Sequence, residues 1–461
     1  MTMNFRNQQM KLWSAVAAWA MLTMGLVGCG GGGGGGGGGM LPILPTAPAS
    51  MSTTVKVNGA TAAADANGQF PVKPGDTVEV APNQDANWSS ASAPADAVTL
   101  RNPDTTSTKW SAQIVNTTTD AATFTVTARA TANASLAKDT VLKVAAGNAR
   151  NASYRVFSTN GSQLTLALNF DTMSYTLTDG AGAVVTDAFV TDPQVSDGYV
   201  FKSSRISTPV NNARFRLAAN TVVGAFPFAV LTAATPTFAV QPFIASNALV
   251  TSQAALAGTY NRLGINLNSS GRDSNIRGIE VTAGGAQVLM CNEVAITPPV
   301  NCPPASLMTY TVSPGTSPSS WRIVNVANPN DSGAFSVATI NGQNVYLSAG
   351  SSPNGDVVFR VGTPQVAAWP LTTGIASDTD GTWGPIALDT TQFGYNFVRA
   401  DASSGSLAFG LQPIGQPTTL NIRADTTAGP GHWFAVQGAG LTAVVGARGP
   451  NGGYMLIGLA K

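Results

Sequence analysis

Nine Asn-Gly or Asp-Gly pairs punctuate the chain, among them Asn58-Gly59, Asn160-Gly161, Asp179-Gly180, Asn341-Gly342, Asn354-Gly355 and Asn451-Gly452. Such a pair supplies the positive φ angles of a type I′ turn, whose twist matches that of two antiparallel strands. Between the pairs, apolar residues recur at every second position: Phe124, Val126 and Ala128, then Leu164, Leu166, Leu168 and Phe170. A period of two buries one face of a strand. Helix is disfavoured by what is missing. Only three glutamates occur in 461 residues, lysine is sparse, and charged residues make up 10% of the chain against about 25% in an ordinary soluble protein. The residues that coat exposed helices are therefore scarce. The expected fold class is all-β: tandem antiparallel β-domains, a sandwich followed by sandwich-like or barrel-like units, behind a Gly/Pro-rich tether.

At about 150 residues per domain, this length predicts roughly three folded units. Composition and turn signals divide the chain into a leader over 1–28, a linker over 29–50, a β-sandwich over 51–149, an antiparallel β-domain over 150–250 and a β-rich, barrel-like domain over 256–461. The one mildly helical stretch beyond the leader, Ala248 to Ala257, reads as a joint. About seven short strands are expected in the first domain. Its Lys73-Pro74-Gly75-Asp76-Thr77-Val78 resembles a strand-opening turn of bacterial immunoglobulin-like modules, which implies an immunoglobulin-like sandwich. Gly381-Thr382-Trp383 is similar to the Gly-x-Trp that opens the barrel of lipocalin-like proteins, and this resemblance implies a barrel with an apolar pocket in which Trp383 plugs one end.

The N-terminus carries the most specific signal. Arg6 and Lys11 precede seventeen uncharged residues, Leu12 to Gly28, short of the roughly 20 apolar residues that span a bilayer and consistent with a secretory signal. Leu26-Val27-Gly28-Cys29 resembles the lipobox of bacterial lipoproteins. That resemblance implies a diacylglycerol thioether on Cys29, a further acyl chain (palmitate) on its amine, and, because Gly30 is not aspartate, residence in a Gram-negative outer membrane. Ten glycines follow, Gly30 to Gly39, a coil of about 17 Å r.m.s. length. Pro42, Pro45 and Pro48 stiffen the stretch after it.

Charge excludes some partners. Lys plus Arg number 24 and Asp plus Glu 23, a net charge of +1 with no basic run, so a nucleic-acid interface is not expected. With Cys29 acylated, Cys291 and Cys302 form an even pair expected as a disulfide in an oxidising compartment, contributing about 3 kcal/mol in the chain-entropy account. His432 is the only histidine, and no Gly-x-Ser-x-Gly elbow accompanies it; no catalytic residue is assigned. Ser135-Leu136-Ala137-Lys138 matches Ser-x-x-Lys but lacks the helical context and companion motifs. Asp378-x-Asp380-Gly381 and Asp65-x-Asn67-Gly68 resemble half of a calcium loop without its glutamate, and read as Asx turns. Asp192 with Asp197, and Asp378 with Asp380, are the close carboxylate pairs that a hydrolase acting on a polymer would use. No metal or cofactor site is expected. Trp88 and Trp110 read as packing residues, while Trp383, His432 and Trp433 are the candidate ligand-facing residues. The expected role is a lipid-anchored, non-enzymatic binding or adhesion protein of the cell envelope, its partner an envelope protein, a glycan or a small apolar ligand. A structural component without ligand and a polymer hydrolase are the alternatives.

Overall fold

The computed structural model describes residues 50–461 except 181, 183, 219, 230–236, 269–270, 294–295, 354, 367–368, 415–420, 427–432 and 447–451. The lipobox, the glycine tract and His432 lie outside the described residues. The regular secondary structure described is almost entirely strand, with four 3-10 turns.

The first domain is a two-sheet sandwich over Thr53–Val144, one sheet of five strands and one of four. It has nine strands where about seven were expected, because short pieces such as Ala60–Thr61 and Phe70–Val72 pair independently. Phe70–Val72 runs parallel to the last strand, Ala137–Val144, and every other pair in the sandwich is antiparallel. Phe124 and Val126 point into the core with Trp110, and Trp88 packs at its edge with its indole N–H on the Thr106 carbonyl at 2.8 Å.

Three closed barrels follow, each of eight strands in simple up-and-down order. The first runs from Ala152 to Ser246, the second from Gly258 to Pro364 and the third from Thr372 to Ala460. Each closes because its last strand pairs with its first, as in Arg155 opposite Ser246, Leu263 opposite Val361 and Ile375 opposite Leu459. Closure removes every unpaired edge. The region 256–461 is thus two barrels, a division that local pattern does not reveal because each barrel's ends meet about a hundred residues apart in the chain. The mildly helical stretch is the connector between barrels, and it holds only the 3-10 turn Gln253–Leu256.

The first barrel's lumen is full. Leu166, Leu168 and Phe170 point inward as their alternation predicts, against Tyr175, Phe189, Phe201, Phe215 and Phe226, whose rings meet largely edge to face at 4.4–5.7 Å. On the outside, Phe157, Val223 and Ile244 of this barrel join Ile265, Phe359 and Val361 of the second and Leu441, Ile457 and Leu459 of the third in one buried cluster. The barrels therefore have two cores each, one inside and one shared. This explains why Val222 to Phe228 reads as a continuous apolar run: both its faces are covered.

The turn between the sixth and seventh strands sits at this shared core in the second and third barrels. Asn341-Gly342, with φ of 49° and 75°, is the expected type I′ hairpin. Asn341 Nδ2 donates to the Ala439 carbonyl at 3.0 Å, and Ala439 N–H donates to Gln343 Oε1 at 3.0 Å, locking the two barrels' hairpins together. Cys291 and Cys302 are bonded, with Cα atoms 5.5 Å apart, across the loop between the third and fourth strands of the second barrel.

Candidate functional site at the mouth of the third barrel

Asp378 ends the third barrel's first strand, Thr372–Asp378, at an inward position, since Ala376 two residues earlier packs in the lumen core. The chain then turns through Gly381 at φ +74°. Asp378 Oδ1 accepts from the backbone N–H of Asp380 and of Thr382, both at 3.0 Å. Its Oδ2 accepts from the Thr382 hydroxyl at 2.6 Å and from the Tyr454 hydroxyl at 2.9 Å. Thr382, having donated its proton, accepts from the Tyr395 hydroxyl at 2.8 Å. Four donors occupy the four lone-pair positions of one carboxylate. This is the Asx turn expected of Asp378-x-Asp380-Gly381, extended by side chains. Asp65 makes the simpler version, accepting from Asn67 and Gln69 N–H.

Burial pushes the Asp378 carboxyl above the usual carboxylate range, against the pull of Thr382 and Tyr454. Burial likewise drives the Tyr395 and Tyr454 hydroxyls well above their ordinary value, with the Asp378 charge adding to it. Both phenols are therefore fixed donors. With its acceptors engaged by four donors, Asp378 shapes the barrel mouth.

Around this network opens a cavity of about 700 Å³. Its apolar wall is Trp433, Phe397 and Leu407, and its charged rim is Arg272, Asp380, Arg399 and Asp401. The Trp433 ring stacks on Phe409 at 5.7 Å and 8° and meets Tyr454 edge-on at 5.0 Å, so the indole is held in one plane. The Arg399 guanidinium lies 4.8 Å over the Phe397 ring. Arg272 reaches in from the second barrel, 3.9 Å from Asp380 Oδ1. The Asp401 carboxyl is held below the usual range by the Ser403 hydroxyl and N–H.

Of the candidate ligand-facing residues, Trp433 lines this cavity. Trp383 does not: it is buried and paired with Ser377, whose hydroxyl donates to the Gly224 carbonyl of the first barrel at 3.3 Å. Cross-strand partners share a face, so Trp383 opens the second strand but faces the neighbouring barrel instead of the lumen. His432 falls outside the described residues. Asp192 is buried in an ion pair with Arg214 at 2.9 Å and also accepts from Gln194 N–H, while Asp197 sits in a turn at φ 61°. Among the described residues no three His, Cys, Asp or Glu side chains gather as a metal site. Sequence reading missed Arg272, Tyr395, Arg399 and Tyr454, which sit in no motif and converge only through barrel closure and barrel packing. No protein family, curated protein or solved structure matches the chain.

Proposed function

We propose that this chain is an exported lipoprotein, anchored in the outer membrane through Cys29, which displays a sandwich and three barrels on a glycine leash to bind a glycan of the cell envelope in a non-enzymatic role. The anchor rests on Leu26-Val27-Gly28-Cys29 and the glycine tract after it. The binding role rests on one observation: a cavity of about 700 Å³ with a fixed indole, Trp433, on one side and Arg272, Asp380, Arg399 and Asp401 on its rim. A pocket of that size is in the range of small-ligand sites. A flat aromatic face suits the apolar face of a sugar ring, and paired cations and carboxylates suit its hydroxyls. Asp380 and Asp401 on the same rim keep the hydrolase reading in view, but Asp378, the one carboxyl raised by burial there, is committed to four donors.

Calorimetric titration of the mature chain with oligosaccharides from the host envelope tests this. Saturable binding, weakened about tenfold or more in Trp433→Ala, is expected. Absence of binding to any envelope glycan sinks the reading, and release of reducing ends that stops in Asp380→Asn replaces it with hydrolysis. Separately, metabolic palmitate labelling is expected to vanish in Cys29→Ala; persistent label removes the anchor.

A further inference from the structure

Because the three barrels close, the free strand edges among the described residues all belong to the sandwich. Three of these four edge strands carry the features that keep an edge from pairing with another chain. Ala60–Thr61 has only two residues, and Phe70–Val72 has three with Pro71 in the middle. Val98–Thr106 holds Arg101, Pro103 and Asp104, and its register breaks between Arg101 and Asp104. The fourth, Ala86–Ala93, has none of these. It reads Ala-Asn-Trp-Ser-Ser-Ala-Ser-Ala, without charge or proline, and pairs with Ala122–Ala130 in unbroken register over its whole length.

Which backbone groups this edge offers follows from alternation, since successive residues of a strand point their N–H and C=O to opposite sides. Ala86 N–H donates to the Ser107 carbonyl at 2.7 Å, away from Ala122–Ala130. Ala130, the residue opposite Ala86, donates its N–H to the Leu136 carbonyl at 2.9 Å, on the far side of its own strand. Even-numbered residues of Ala86–Ala93 therefore turn their backbone outward, and Trp88, Ser90 and Ser92 present N–H and C=O groups where the sheet ends. Ser107 covers the edge at Ala86 and Pro94 stops it, so the open stretch runs from Trp88 to Ser92. Ser89, Ser90 and Ala91 are exposed, while the Trp88 ring packs on the sandwich core with its N–H on the Thr106 carbonyl.

We propose that this edge pairs with the same edge of a second copy of the chain, joining two four-stranded sheets into one across a twofold axis at Ser90. With Ser90 opposite itself and Trp88 opposite Ser92 of the second copy, every outward N–H and C=O of the open stretch meets a partner in the hydrogen-bonded pairs of an antiparallel ladder. A shift in either direction leaves some of them unmet. The side chains allow this register: Ser89 falls opposite Ala91 and Asn87 opposite Ala93, small uncharged pairs without repulsion. A foreign strand fits less well, because strand addition selects its guest through pockets for alternate side chains, and the small outer side chains Ser89, Ala91 and Ala93 form none. The contact is isologous, the commonest kind between identical chains. It is separate from the third barrel's cavity and does not rest on the glycan reading.

Sedimentation equilibrium of the mature chain carrying Cys29→Ser, which removes both the lipid and the free thiol, is expected to show monomer and dimer exchanging with concentration below about 1 mM. Ser90 N–H takes no part in the ladder with Ala122–Ala130, so Ser90→Pro is expected to weaken the dimer about tenfold or more while leaving the thermal midpoint of the dilute monomer within about 2 °C. Ser89→Pro, which cuts a ladder bond inside the sheet, should lower that midpoint instead. Ser90→Lys, which sets like charges opposite each other at the twofold axis, gives a second reading should Ser90→Pro fail to fold. A monomer at every concentration up to about 1 mM, or a dimer whose affinity the folded Ser90 variants leave unchanged, overturns the proposal.

Discussion

At the scale of single residues, a few charges are enclosed, Asp378 among them. Asp378 and its four donors form a closed unit, so removing the carboxylate strands two backbone N–H groups and two hydroxyls in a buried turn. Asp378→Ala is expected to cost about 3 kcal/mol in urea unfolding. Asp378→Asn, which keeps the Oδ1 acceptor, should cost less. The pH dependence has a definite sign. Because the folded carboxyl titrates above its unfolded value of 3.8, the folded state holds the proton more tightly, so the stability Asp378 contributes is fully present below that value and lost as pH rises through the folded pKa. The Asn variant should lack this component. Local sequence made the Asx turn at Asp378 legible, since Asp-x-Asp-Gly encodes its own backbone bonds. Tyr395 and Tyr454 were not legible, since each reaches the turn from a different strand.

Hairpins are the unit at the next scale, and turns of like backbone conformation have unequal consequences. Gly342 and Gly440 both adopt positive φ, +75° and +78°. A Cβ on Gly342 meets nothing within 4 Å, whereas one on Gly440 would lie 2.5 Å from Asn341 Nδ2, the atom that joins the second and third barrels. Gly342→Ala is expected to cost about 1 kcal/mol, the left-handed backbone alone. Gly440→Ala should cost about 1 kcal/mol more, for the displaced hydrogen bond; equal losses in chemical denaturation would mean that the hairpins are not coupled. Asn341-Gly342 forecasts its own turn, whereas Ala439-Gly440 carries no such pair. Which turns touch another barrel is invisible to such pairs.

For the whole molecule, the three barrels share one exterior core, which is expected to make them unfold as one cooperative body. Phe359 is fully buried on the outer face of the second barrel, among residues of all three. Phe359→Ala is expected to cost about 3–5 kcal/mol and to speed amide exchange in all three barrels together. Faster exchange confined to 258–364 would show the barrels to be independent. The same packing carries Arg272 of the second barrel to the third barrel's mouth, so the cavity there is a product of the assembly.

The sequence by itself determined the class of structure: scarce helix formers, period-two runs and Asn-Gly turns leave antiparallel strands as the solution, and an even pair of cysteines in Cys291 and Cys302 foretells their bond. It also contains, in Leu26-Val27-Gly28-Cys29, the whole of the case for export. Only the tertiary structure decided that the strands close into three barrels, and that one lumen is filled by aromatic rings while the third barrel's mouth holds a cavity. The reason is geometric. Period two says which residues share a face, but whether that face is a lumen, a shared core or a cavity wall depends on pairings between strands about a hundred residues apart, which no local pattern records.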